Sequence, residues 1–142
     1  MMDTNGTLLG FIVGILVVGI LLVVVIMLTK KGTVQLDIDK YRSKWMAIEQ
    51  GLKRDEPSSI QLAVLNGDKL LDQALKERGL KGETMGERMK AAKPHWSNAN
   101  NVWGAHKLRN RIAHENDTVI GYDEARRALA GFKQALKDLG AI

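Results

Sequence analysis

Two kinds of hydrophobic pattern divide the chain. From Leu8 to Leu28 every residue is apolar or glycine, a run of 21 without a charged or strongly polar side chain. At 1.5 Å rise per residue such a run spans roughly 30 Å as a helix, the thickness of a bilayer's hydrocarbon core. After residue 36 the apolar positions instead recur with helical period. Tyr41, Trp45, Ile48 and Leu52 follow a 4-3-4 spacing and predict a helix from about Asp37 to Lys53. Pro57 suits the first turn of a second helix, which runs to about Arg78 and is stopped by Gly79. Its apolar residues, from Ile60 through Leu75, cover too much circumference for a surface helix, so it belongs at the centre. Thr84 and Glu87 form a capping box for a short helix ended by Pro94. A further helix starts near Ser97 or Asn98 and reaches about His114. The last begins near Asp123, aligns Ala125, Leu129, Phe132, Leu136 and Leu139, and closes at Gly140. No period-two segment of useful length interrupts this. The expected class is all-α: one N-terminal transmembrane helix followed by an antiparallel bundle of four long helices and one short one.

This pattern predicts a short extracytoplasmic N-terminus at 1–7, a span at 8–28, a basic juxtamembrane linker at 29–36 and the bundle at 37–142. A cleaved signal peptide normally has a basic n-region and a small-x-small cleavage site. Here the N-terminal flank has Asp3 and no Lys or Arg, and Met27-Leu28-Thr29-Lys30-Lys31 offers no such site, so we expect a retained single-pass anchor. Lys30, Lys31, Lys40, Arg42 and Lys44 all follow the span, which by the positive-inside rule places the C-terminal domain in the cytosol and the anchor in the cytoplasmic membrane. Gly6, Gly10 and Gly14 recur every fourth residue, a stripe along which a second helix backbone can approach to form a dimer. Glycine is also common in membrane helices without that role.

Cysteine is absent, which excludes disulfides, thiolate metal sites and a cysteine nucleophile. The net charge of +5 is concentrated: residues 76–114 hold nine Lys or Arg against three Glu. Such an excess suits an anionic partner, nucleic acid or lipid headgroup, or else a solvated basic surface.

Candidate chemistry lies in Lys107-Leu108-Arg109-Asn110-Arg111-Ile112-Ala113-His114-Glu115. At about 100° per residue Asn110 and His114 share a helix face, so the amide is placed to orient the imidazole. His106 extends this stripe by a turn. Arg109 is offset from His114 by about 140°, so either the long arginine wraps around or a second protomer completes the pair. His106 and His114 are about 12 Å apart along a helix, too far to share one metal ion, and we expect neither metal nor cofactor.

The Arg109-Asn110 pair followed by His114, late in a helix of a basic bundle, resembles the R-N-x-x-x-H signature of the HEPN superfamily, all-helical domains many of which are metal-independent ribonucleases. The resemblance covers roughly residues 37–142. It implies a homodimer with both motifs facing one cleft, in which Arg109 holds the scissile phosphate. His114 would act there as general acid or base while an RNA 2′-hydroxyl attacks, leaving a cyclic phosphate. Asn110, His106 and Arg111 would support them. The implied roles are defence, stress or toxin-like growth control, the last bringing an antitoxin or regulatory partner. The alternative is a non-catalytic membrane-tethered module for RNA binding, dimerisation or recruitment.

Overall fold

The computed structural model describes residues 4–29 and 34–142. Asp3, Lys30 and Lys31, on which part of the topology expectation rests, lie outside these. The chain forms two compact units, Met1–Thr33 and Val34–Ile142.

In the first unit, helix α1 (Thr4–Thr29) is long and apolar enough to cross a membrane. It begins four residues before the expected span and so takes in Gly6 as well as Gly10 and Gly14. None of its residues is buried. An added Cβ at Gly10 or Gly14 would meet nothing within 4 Å. Apolar side chains surround it on all sides, the composition of a helix whose solvent is lipid rather than water.

The second unit is the helical bundle: α2 (Ile38–Gly51), α3 (Pro57–Glu77), α4 (Met85–Ala91), α5 (Ala99–His114) and α6 (Tyr122–Asp138). The all-α expectation holds, with four long helices and a short one. Local chemistry sets the boundaries. Asp37 caps α2 by accepting from Lys40 N at 3.1 Å. Thr84 and Glu87 complete the capping box of α4, each satisfying the other's backbone. Gly79 and Gly140 have φ of 82° and 72° and follow α3 and α6 in Schellman turns, with Leu80 N bonded to Leu75 O and Ala141 N to Leu136 O. Pro94 falls inside a single 3-10 turn, Lys93–His95, that follows α4.

One expected boundary shifts. Residues 34–36, assigned from sequence to the linker, belong to the bundle: Leu36 is buried, and Arg78 Nη1 donates to Val34 O at 3.2 Å. The Arg78–Val34 bond ties this segment to the end of α3, and Leu36 joins the core.

Helix α3 is central, as its apolar circumference predicts, and packs against α2, α4, α5 and α6. Its contacts require close approach. A Cβ at Gly67 would stand 2.9 Å from Phe132 Cδ2 on α6. Between α5 and α6 the constraint is harder, because a Cβ at Gly131 would lie 2.8 Å from the backbone oxygen of Asn101, which no rotamer change relieves. Gly131→Ala must push α5 from α6, and thermal or denaturant unfolding should show a loss of about 1–3 kcal/mol, as overpacking generally costs. An unchanged midpoint would mean that the helices are not packed this closely.

Arg88 is 6% exposed and is held by Asp72, Nη2 to Oδ1 at 2.7 Å, and by Gly82 O at 2.8 Å. Burial pushes the Asp72 carboxyl up, but hydrogen bonds from Lys76 and Arg88 outweigh it and hold the group below its ordinary value. Lys40, with Tyr41 and Gln73, draws Glu77 down to about 2. A carboxyl lowered in the folded state stabilises above its unfolded value, and loses that contribution as pH falls through the folded one. The unfolding temperature should therefore be level from neutrality to about pH 5 and fall below about pH 4. Asp72→Asn should lower the plateau and flatten the acid limb. A melting temperature that rises on acidification would contradict these ion pairs.

Candidate functional site

Helix α5 presents the candidate residues. Asn98 caps it, accepting from Asn101 N at 3.1 Å, and Val102, Ala105 and Leu108 are buried. With that face committed to the core, His106 and Arg109 fall on the flank beside α3. There they meet Asp68, which is only 3% exposed.

Asp68 uses both carboxylate oxygens. Oδ1 lies 2.7 Å from His106 Nδ1, and Oδ2 lies 3.2 Å from Arg109 Nε. Arg109 Nη1 in turn donates to Asn110 Oδ1 at 3.0 Å. Trp103 sets its ring edge against the imidazole, with centroids 6.2 Å apart and planes at 79°. A buried carboxylate needs a compensating cation and hydrogen bonds, and Arg109 and His106 supply both. In the neutral imidazole, an Nδ1–H donated to Asp68 leaves the lone pair on Nε2, so the carboxylate selects the tautomer as well as the ring orientation. The His106 side chain is 12% exposed and that of Arg109 36%, so the cluster meets solvent mainly through the guanidinium. Chemically this is an oriented proton acceptor next to a fixed, partly accessible anion-binding group.

Of the remaining motif residues, His114 and Arg111 lie apart from it. His114 is the last residue of α5, exposed, with no hydrogen bond or ion pair among the described residues. Asn110, expected from helical spacing to orient His114, turns its carbonyl to Arg109 instead. Arg111 pairs with Glu124 of α6 at 3.1 Å. It borders a groove of about 380 Å³ between α5 and α6, whose other lining includes Asn100, Asn101, Lys107 and Arg127 beside Ala105 and Leu108. Trp96 and Trp103 pack against the core, and Trp96 Nε1 donates to Met89 O at 3.0 Å.

Asp68 is the residue that reading the motif alone misses, because its partners lie 38 or more residues away. A signal for it exists in the sequence. Asp68 falls four residues after Val64 and three before Leu71, in the stripe that α3 turns to the core, where a carboxylate is out of place unless paired. Among the described residues no three His, Asp or Glu side chains gather closely enough to hold a metal ion. Comparison with family models, with curated proteins and with solved structures finds no match to this chain.

Proposed function

We propose that this chain is a membrane-anchored HEPN-like domain that cleaves RNA without a metal ion. The reading is supported by one arrangement above all: a buried carboxylate, Asp68, holds His106 and Arg109 of the Arg-Asn-x-x-x-His helix in fixed positions. Arg109 is the group that binds the scissile phosphate and stabilises the charge developing on it. His114, exposed and unengaged among the described residues, is the mobile general acid or base, and His106 Nε2 is a second proton acceptor on the same helix. The RNA 2′-hydroxyl supplies the nucleophile, so a cyclic phosphate and a free 5′-hydroxyl are the products. Because Arg109 is drawn towards α3 while His114 ends α5, the complete site takes its histidine from the facing helix of a second protomer. Helix α1 holds the domain at the cytoplasmic membrane with the bundle in the cytosol, and its glycine stripe, Gly6, Gly10 and Gly14, favours pairing in the bilayer plane.

One observation favours a second reading. Asp68 and Asn110 already occupy two edges of Arg109, and a buried ion pair of this kind also serves simply to fix α5 on α3. On that reading the domain binds RNA or dimerises without catalysis. Incubation of the full-length protein with labelled RNA in EDTA separates the two. Cleavage that His114→Ala removes supports the enzyme, and RNA retention without cleavage supports the module.

A further inference from the structure

The bundle carries a second surface unconnected with Asp68. Along α2 and α6 an open groove of about 540 Å³ is floored by Trp45, Met46 and Ile142 and rimmed by Arg42, Lys133 and Lys137. Met46 is 54% exposed, although it stands one residue after the buried Trp45. Ile38, two helical turns earlier on the same flank of α2, is 37% exposed, and Val34, before the helix, is 54% exposed. Exposed apolar side chains spaced along one helix of a small bundle, beside an apolar-floored groove, mark a surface that meets something other than water. Its rim says what. Glu49 is the one carboxylate in its lining and pairs with Lys133 at 2.9 Å, so three cations, Arg42, Lys133 and Lys137, stand against a single carboxylate.

We infer that this α2–α6 face docks on an anionic lipid surface, with Met46 and Ile38 entering the interface and Arg42 and Lys137 meeting headgroup phosphates. Apolar insertion combined with electrostatic attraction is the general mode by which amphipathic helices lie on membranes. The chain makes that occupant the nearest one. Only residues 30–33 separate Thr29, the end of the apolar helix, from Val34, where the bundle begins, and fully extended that stretch reaches about 17 Å. A tether this short keeps α2 at high effective concentration beside any bilayer that holds α1. The inference rests on α1 entering a bilayer and is independent of RNA cleavage.

The absence of cysteine makes the test direct, since a single introduced thiol labels uniquely. Full-length Met46→Cys and, as a control on α4, Lys90→Cys are labelled with an environment-sensitive fluorophore. Each is reconstituted into vesicles of phosphatidylcholine alone or mixed with phosphatidylglycerol, and flotation with the vesicles verifies anchoring first. The label at 46 should shift to the blue and be quenched by a bilayer-borne nitroxide severalfold more than the label at 90, and only when phosphatidylglycerol is present. Adding Arg42→Gln and Lys137→Gln to Met46→Cys should abolish the difference while leaving helix content unchanged. The inference is overturned by a floated protein whose label at 46 stays water-exposed in both vesicles, or by a shift that ignores lipid charge. A shift that follows protein density rather than lipid composition would assign the face to a second copy, and would equally overturn it.

Discussion

Asp68→Ala should lower the stability of the helical unit by about 2–3 kcal/mol, among the largest effects of any single polar substitution in it. Removing one partner of a fully buried ion pair costs roughly 3–5 kcal/mol, because the other charge is stranded. The discount arises because Arg109 is 36% exposed and its guanidinium turns to water once released. His106 cannot escape as well, since its side chain is 12% exposed and its Nδ1 loses the one hydrogen-bond partner it has among the described residues. Asp68→Asn keeps one acceptor oxygen and should cost less. Urea unfolding of the full-length protein in detergent measures both. Equal stability of wild type and Asp68→Ala would mean that the carboxylate holds nothing in place.

A large kinetic effect that leaves the fold intact should come from His114. Loss of a positioned general acid or base typically costs 10²–10⁴-fold in rate. His114→Ala should therefore reduce RNA cleavage by about that factor while leaving stability almost untouched, because His114 is exposed and its side chain makes no hydrogen bond or ion pair among the described residues. His106→Ala should differ in kind. It strips Asp68 of a hydrogen bond, so any loss of rate should come with a loss of stability. A His114→Ala protein that cleaves at the wild-type rate would move the acid–base role to His106.

Much of the bundle was legible because its signals are local. The capping box at Thr84 and Glu87, the caps Asp37 and Asn98, and the glycines after α3 and α6 each act within a turn or two of the helix end they define. The entry at 34–36 was not, since three residues are too few to show a period, and what fixes Leu36 is burial in the bundle core. The site divides along the same line. Helical spacing puts Asn110 and His114 on one face and the resemblance adds Arg109, but neither says which neighbour each side chain prefers. Arg109 reaches a carboxylate on another helix, and Asn110 follows Arg109 rather than His114. Periodicity marks Asp68 as buried. Only tertiary packing supplies the reason it can be.

The most direct measurement is product analysis of a uniformly labelled RNA incubated with the reconstituted full-length protein in EDTA. The proposed function predicts fragments ending in a 2′,3′-cyclic phosphate, no cleavage 3′ to a 2′-deoxy position, and no such fragments from Arg109→Ala. Intact RNA with the wild-type protein, or fragments that Arg109→Ala produces equally well, would contradict it.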